Sequence, residues 1–156
     1  MTVDEMLARE AIRDTMARCS LAGDRGNGDA YAECFTENGI IQAEHAGRDV
    51  TFRYEGREAI RAWQTAWKSG KSELAAPPRT SFVQHCLSTS QIDLDGPDRA
   101  TARTYWMVYT DLGPDHAGYY LDEFRKEGAK WLISWRRVRP RWMSPESLFR
   151  PADDAK

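Results

Sequence analysis

Three segments of the chain carry apolar residues at the spacing of an α-helix. They run from Met6 to Gly23, from about Gly28 to Phe35, and from Arg57 to Lys68. Thr2 and Glu5 have the spacing of a capping box before the first segment, and the third segment places Trp63 and Trp67 on one side. We therefore predict three helices, the third of which packs on a sheet.

Most of the remaining chain is rich in β-forming residues and alternates in the manner of β-strands. The predicted strands are Ile40 to Ala43, Thr51 to Glu55, Thr80 to Asp93, Ala100 to Asp111, Ala117 to Lys126 and Trp131 to Arg139. Turn residues such as Asp95-Gly96 separate the long strands, which favours an antiparallel meander. Ser69 to Pro78 is small, polar and contains proline, so we expect a mobile connection with the composition of a lid.

Helices first and a meander afterwards predict an α+β fold. We expect a cone-shaped α+β barrel, in which three N-terminal helices pack in a curved, mainly antiparallel sheet. Residues 1–142 form this domain and 143–156 a C-terminal tail, whose early part docks while Pro151 to Lys156 frays. A chain of 156 residues is long enough to bury a core without disulfides.

Composition excludes several classes of partner. The 22 basic and 24 acidic side chains nearly balance, which argues against nucleic acid and anionic membranes as partners. No apolar run approaches the roughly 20 residues of a membrane span, and the amino terminus does not resemble a signal peptide, so a cytoplasmic location is expected. Cys19, Cys34 and Cys86 lack the spacing of a zinc site or a disulfide framework and are expected to be reduced thiols.

Aromatic residues are numerous, with six Trp, six Tyr and five Phe. Such side chains carry large apolar areas with a polar tip. They could line a cavity for an aromatic or polycyclic ligand, or they could build the core and a subunit interface. The composition leaves both interpretations open.

In the order and spacing of four groups of residues, the sequence resembles the SnoaL-like family of the nuclear transport factor 2-like superfamily. They are Asp24-Arg25-Gly26-Asn27 with Phe35; Tyr54 to Ile60; His85 to Thr89 with Ile92 and Asp95-Gly96; and Gly118 to Phe124 followed by Trp131-Leu132-Ile133 and Arg136-Arg137-Val138. The resemblance covers about residues 5 to 142. Asn27 and Gly28 differ from the Asp and aromatic residue of many relatives, so the start of the second helix is expected to be atypical.

The family includes ketosteroid isomerase, scytalone dehydratase, bile acid dehydratase and hexachlorocyclohexane dehydrochlorinase. The resemblance implies that Asp24 and His85 occupy the positions of an active-site acid and base. Neither residue is informative alone, because an Asp near a glycine is usually a turn residue and a lone His in a strand is usually core. Scytalone dehydratase also uses a second histidine, whose place falls near Thr110 here.

A carboxylate beneath an imidazole fixes the imidazole's tautomer and stabilises its protonated form, leaving the other ring nitrogen as general base or acid. We therefore expect a cofactor-independent lyase or isomerase without a metal, acting on a hydrophobic aromatic or polycyclic molecule by dehydration, elimination or retro-aldol cleavage. No phosphate loop, metal triad, dinucleotide fingerprint or nucleophile elbow is present. The alternative is a non-catalytic binding module or an assembly subunit like the small β subunit of ring-hydroxylating dioxygenases.

Further residues are assigned around the pair. Tyr120 is the first candidate for a donor to developing negative charge, and the other predicted pocket residues are Trp63, Trp67, Arg79, Phe82, Tyr105, Trp106 and Tyr109. His45 and His116 fall in predicted loops and are expected to be solvated. The outer face of the sheet is too apolar to remain in water, so a homodimer or homotrimer is expected.

Overall fold

The computed structural model describes residues 1–44, 50–68 and 81–149. Its elements are α1 (Val3–Arg25), α2 (Gly28–Ala32), β1 (Phe35–Glu44), β2 (Val50–Glu55), α3 (Arg57–Lys68), β3 (Gln84–Leu94), β4 (Arg99–Thr110), β5 (Gly113–Glu127) and β6 (Lys130–Met143). The strands form one sheet in the order β2-β1-β6-β5-β4-β3, in which only the β1–β6 pair is parallel. The predicted α+β fold with a mainly antiparallel sheet is confirmed.

The sheet has an inner face that packs on the helices and an outer face directed away from them. In β4 the residues from Ala100 to Thr110 alternate, with every even-numbered side chain buried. The core fills the space between this inner face and α1, where Ile12 is fully buried together with Phe35 and Ile133. None of the helices in the three described ranges is both long and apolar enough to cross a membrane.

The ends of α1 are defined by local hydrogen bonds. The predicted capping box is confirmed: the Thr2 hydroxyl accepts from the Glu5 N–H at 3.2 Å, and the Glu5 carboxylate accepts from the Thr2 N–H at 2.7 Å. At the other end Gly26 adopts a φ of 62°, in the left-handed region that glycine tolerates best. Asp24 therefore lies inside the last helical turn.

The second helix is shorter than predicted, because α2 ends at Ala32 and Phe35 already belongs to β1. Its start is tightly built: the Asn27 side chain accepts from the Ala30 N–H at 3.1 Å. A Cβ atom at Gly28 would lie 2.1 Å from the Thr65 hydroxyl, so only glycine allows α2 to approach α3 this closely.

Strand β5 begins at Gly113, four residues before its predicted start at Ala117. The pairing with β4 shifts between Val108 and Tyr109, so that Asp115 is an extra, bulged residue in β5. Pro114 is tolerated here because it lies at the start of the strand beside the bulge. The prediction that His116 is solvated in a loop is wrong, since it is a strand residue with a side chain that is 17% exposed.

The C-terminal segment from 144 to 149 docks on the bulge, as expected for the early tail. Asp115 holds it: its backbone carbonyl accepts from the Ser144 N–H at 2.7 Å, and its carboxylate accepts from the Ser147 hydroxyl and the Leu148 N–H. The predictions for His45, Ser69 to Pro78, Arg79 and Pro151 to Lys156 lie outside the described residues.

A buried ion pair joins β5 to β6 on the inner face. Arg136 donates to the Asp122 carboxylate through two nitrogens, at 2.9 and 2.7 Å, and contacts the Cys19 sulfur at 3.3 Å. The guanidinium lies 4.2 Å from the centre of the Tyr120 ring. Two bonds to one carboxylate fix the guanidinium plane, so this pair provides a rigid support beneath Tyr120.

Candidate active site

Asp24 and His85 are in direct contact. The Nδ1 atom of His85 lies 2.6 Å from Oδ1 of Asp24, and the backbone N–H of His85 donates to the same carboxylate at 3.0 and 3.2 Å. The two side chains are 15% and 27% exposed for Asp24 and His85 respectively. The carboxylate thus receives hydrogen bonds from both the ring and the main chain of His85, which fixes the position of the imidazole.

The position of Asp24 is fixed by α3. Gln64, which is buried, donates its amide to the backbone carbonyl of Gly23 at 3.0 Å and anchors the last turn of α1. A carboxylate at a helix C-terminus is unfavourable because the carbonyl groups there carry partial negative charge. Local helix stability therefore does not account for Asp24, whereas its bonds to His85 do.

A second histidine faces the same space as His85. Strand pairing aligns His85 with Val108 and Val108 with His116, across β3, β4 and β5. Residues aligned in this way project to the same face of a sheet, here the inner face, and two strand spacings separate the two histidine Cα atoms by about 10 Å. His85 and His116 thus flank Val108.

Asp115 and His116 form a second acid–base contact. His116 Nδ1 lies 2.7 Å from Asp115 Oδ1, and the same carboxylate accepts from the Ser147 hydroxyl at 2.6 Å and the Leu148 N–H at 2.8 Å. The Phe149 ring contacts the imidazole edge to face, with centroids 5.1 Å apart. The docked C-terminal segment therefore forms one wall around His116.

Burial determines the protonation of His116, and hydrogen bonds determine that of Asp115. Burial lowers the pKa of His116 below its usual value, and positive charge on His85 acts in the same direction, while the Asp115 carboxylate opposes both. Burial would raise the pKa of the Asp115 carboxyl, but hydrogen bonds from Ser147, His116 and Leu148 outweigh it and lower that pKa. At neutral pH the pair is a carboxylate beside a neutral imidazole.

Trp106 and Tyr120 complete the described part of the site. The Trp106 ring lies 5.6 Å from the rings of both His116 and Tyr120. It lies over Gly118, where a Cβ atom would be 2.7 Å from the indole, so glycine is required for this approach. Burial raises the pKa of the Tyr120 phenol, with negative charge on Asp24 acting in the same direction. The phenol therefore stays protonated.

Not every predicted pocket residue reaches this region. Tyr105 and Tyr109 lie on the outer face and are 46% and 37% exposed, so their assignment to the pocket is wrong: they alternate with the buried Trp106 and Val108. Trp63 packs instead in a core cluster with Phe52, Tyr54 and Tyr31.

Two further predicted residues lie at the margin of the described site. Trp67 stacks on Phe149, with centroids 6.5 Å apart, and so adjoins His116 indirectly. Phe82 is 47% exposed. Sequence reasoning missed His116, although the alternation of β5, followed backward from Tyr120 through Gly118, gives it the inner face.

A separate cavity of about 260 Å³ lies on the other side of α1. It is lined by Thr15, Arg18, Leu21, Ala22, Arg25, Asn27, Ala30, Glu33, Cys34, Lys130 and Leu132. Neither His85 nor His116 lines it. In the part of the chain that the structure describes, no group of three or more His, Cys, Asp and Glu side chains could hold a metal ion.

Comparison with protein families identifies residues 4–137 as a SnoaL-like domain. Because this match covers most of the chain, the protein belongs to the SnoaL-like domain family. The resemblance inferred from the motifs around Asp24 and His85 is therefore confirmed. No curated protein matches the sequence.

Solved structures with this fold span several functions. One is Rv3472 of Mycobacterium tuberculosis, whose function is unknown, with 25% identity, a TM-score of 0.73, and coverage of 100% of this chain and 85% of that one. A provisionally assigned scytalone dehydratase of Novosphingobium aromaticivorans has 21% identity, a TM-score of 0.72 and coverage of 92% and 91%.

A third structure is the β subunit of a provisionally assigned aromatic-ring-hydroxylating dioxygenase, also from Novosphingobium aromaticivorans. It has 16% identity, a TM-score of 0.73 and coverage of 90% of this chain and 93% of that one. The second and third similarities show the fold alone. They include both an enzyme type and a subunit type, so the choice between these functions depends on the site residues.

Proposed function

We propose that the protein is a lyase or isomerase that transfers a proton on a hydrophobic small molecule by means of the Asp24–His85 pair. The observation that carries the proposal is the 2.6 Å contact between the Asp24 carboxylate and His85 Nδ1. Family membership supports it, because structures with this fold include one provisionally assigned as a dehydratase.

Geometry supports His85 as the group that moves the proton. When Nδ1–H donates to the Asp24 carboxylate, Nε2 keeps its lone pair and can accept a proton from a carbon acid. The imidazolium that forms is then stabilised by the adjacent negative charge. Asp24 acts through His85, as the residue that orients the ring and stabilises its charged form.

The neighbouring residues suit a substrate that develops negative charge on oxygen. Tyr120 keeps its proton and serves as a hydrogen-bond donor, while Trp106 and Val108 supply an apolar surface. Proton abstraction with donor assistance fits dehydration, elimination, isomerisation and retro-aldol cleavage equally. An aromatic or polycyclic substrate matches the aromatic lining. The sequence shows no motif for a cofactor, and we propose that the reaction needs none.

The test uses single variants assayed on a panel of aromatic and multi-ring alcohols and carbonyl compounds, with products followed by mass spectrometry. His85→Gln and Asp24→Asn should each lower kcat/KM by about a hundredfold or more, because a general base contributes that much. The double variant should be little worse than either single variant, since the two residues act as a unit. Asp95→Asn, at an exposed turn, is the matched control and should retain activity.

Comparable melting temperatures must accompany the loss, so that unfolding is excluded. A folded His85→Gln protein that keeps activity within a few-fold of the wild type would contradict the proposal.

An assembly subunit is the second candidate function, supported by the similarity in fold to the dioxygenase β subunit. This candidate predicts an iron-containing partner that co-purifies and no turnover by the isolated chain. The enzyme proposal predicts turnover by the chain alone. The contact between Asp24 and His85 favours the enzyme, because a scaffold has no need of a fixed acid–base pair.

A further inference from the structure

The indole N–H of Trp106 is a buried donor without an acceptor. Trp106 is 4% exposed, and its Nε1 atom has no hydrogen-bond partner in the described part of the chain. An unpaired buried donor destabilises a folded protein, and each such group calls for an explanation. A bound ligand with an oxygen atom would supply the missing acceptor.

His116 offers the complementary group. Its Nδ1 is engaged with Asp115, and no hydrogen bond to its Nε2 occurs among the residues described. Because a neutral imidazole with a proton on Nδ1 carries a lone pair on Nε2, that atom is a hydrogen-bond acceptor. Burial, which lowers the pKa of His116, keeps the ring in this neutral form. The Trp106 and His116 rings are 5.6 Å apart, with an interplanar angle of 77°.

We propose that Trp106 and His116 together recognise a hydroxyl group on the ligand. The Trp106 N–H donates to the hydroxyl oxygen, and His116 Nε2 accepts the hydroxyl proton. The inference rests on the proposed function, since it identifies the polar group that the same site selects. It also assigns a role to Asp115, which holds the His116 tautomer that accepts and thereby acts as a positioning residue.

A hydroxyl fits this pair better than the other common oxygen groups. A carbonyl or ether oxygen only accepts, so it would satisfy Trp106 and leave His116 unpaired. A phosphate or carboxylate would face a neutral imidazole and the negative charges of Asp24 and Asp115. Only a group that both donates and accepts completes both bonds.

Three probes separate the two bonds: 2-naphthol, 2-methoxynaphthalene and naphthalene. The first both donates and accepts, the second only accepts, and the third does neither. For the wild-type protein, titration calorimetry should give the affinity order naphthol, methoxynaphthalene, naphthalene, with about fivefold to tenfold per hydrogen bond. The methoxynaphthalene-to-naphthalene ratio reports the donor, and the naphthol-to-methoxynaphthalene ratio reports the acceptor.

Two variants then remove one partner each. Trp106→Phe should abolish the preference for methoxynaphthalene over naphthalene. His116→Asn keeps an amide N–H for Asp115 and should abolish the preference for naphthol over methoxynaphthalene. Trp135→Phe is the matched control, because Trp135 also has an unpaired buried indole N–H but lies on the outer face. It should leave all three affinities unchanged.

Equal affinities of the wild type for the three probes, or no binding of 2-naphthol, would overturn the inference, as would ratios in Trp106→Phe equal to those of the control. If Trp106→Phe does not fold, benzothienylalanine at position 106 removes the N–H with nearly the same ring shape and gives the same readout. Binding needs no turnover, so the inference can fail while His85 remains essential for activity. The converse outcome, selective binding with no role for His85 in turnover, would contradict the proposed function alone.

Discussion

Replacing Asp115 by alanine should destabilise the protein far more than its place near a hairpin turn suggests. The carboxylate is fully buried and accepts three hydrogen bonds, from Ser147 at 2.6 Å, His116 at 2.7 Å and Leu148 at 2.8 Å. Hydrogen bonds to charged groups contribute about 1.5–3 kcal/mol each. The losses do not add fully, because the docked segment can move and find water, so we expect about 3 kcal/mol of lost unfolding free energy.

Urea unfolding followed by tryptophan fluorescence measures this loss. Asp111→Ala is the matched control: this exposed carboxylate also accepts hydrogen bonds, from the Ser81 N–H at 2.7 Å and from the Ser81 hydroxyl. Because water replaces exposed bonds, the control should lose no more than about 1 kcal/mol. Equal losses in the two variants, or a loss below about 1 kcal/mol for Asp115→Ala, would refute the view that Asp115 anchors the C-terminal segment.

Two further predictions concern pH and assembly. Folding lowers the pKa of His116 below 6.5, so as the pH falls the unfolded chain binds the proton first. The unfolding free energy that depends on neutral His116 therefore has its full value above pH 6.5 and decreases as the pH falls towards the folded pKa. Melting temperatures between pH 7.5 and 5.5 should therefore decline less steeply for His116→Asn, and identical slopes would contradict this. On the outer face, Tyr105 and Tyr109 remain exposed, and we expect a homodimer or homotrimer through them. Light scattering should show Tyr105→Glu as a smaller species, whereas a wild-type monomer at micromolar concentration would refute the prediction.

The spacing of apolar residues predicted those helices and strands that keep a single helical or strand period along their whole length. The alternation in β4 and the helical spacing in α3 are strong, so both elements appear at nearly their predicted bounds. The alternation in β4 also bears on the predicted pocket, which included both Tyr105 and Trp106. Tyr105 and Trp106 are adjacent in a strand and must point to opposite faces, so they cannot line one cavity.

The composition of the outer face explains why the sequence did not show which alternate residues of β4 face the helices. The aromatic residues of the outer face pack against arginines: the Arg103 guanidinium lies 4.2 Å from the Tyr119 ring centre, and Arg137 lies 4.6 Å from that of Trp135. Arginine stacked on an aromatic ring is stable at a surface. Both faces of the sheet therefore carry aromatic residues, and composition alone does not distinguish the inner one.

His116 was missed because the strand that carries it was predicted to begin only at Ala117, one residue later. Gly113-Pro114 has the composition of a turn, and a strand that continues through proline is exceptional. The register with β4 is continuous from Tyr120 to His116, which gives His116 the inner face. It shifts only beyond His116, where Asp115 is the bulged residue that contacts the docked C-terminal segment. The docking of the C-terminal segment on Asp115 depends on contacts between residues about 30 positions apart, such as Asp115 with Ser147. Local sequence patterns do not reveal contacts of this kind.

Three carboxylates near the inner face each have a nitrogen partner, and the chemistry of the partner separates their roles. Asp122 pairs with Arg136, which is 2% exposed and cannot lose its proton, so this pair can only support the structure. Asp24 and Asp115 pair with histidines, whose neutral ring carries a lone pair that can accept a proton or a hydrogen bond. The His85 side chain is more accessible than that of His116, with 27% exposed against 17%. The Asp24 carboxylate also accepts a hydrogen bond from the backbone N–H of His85. These differences are the reason why we propose proton transfer for His85 and ligand recognition for His116.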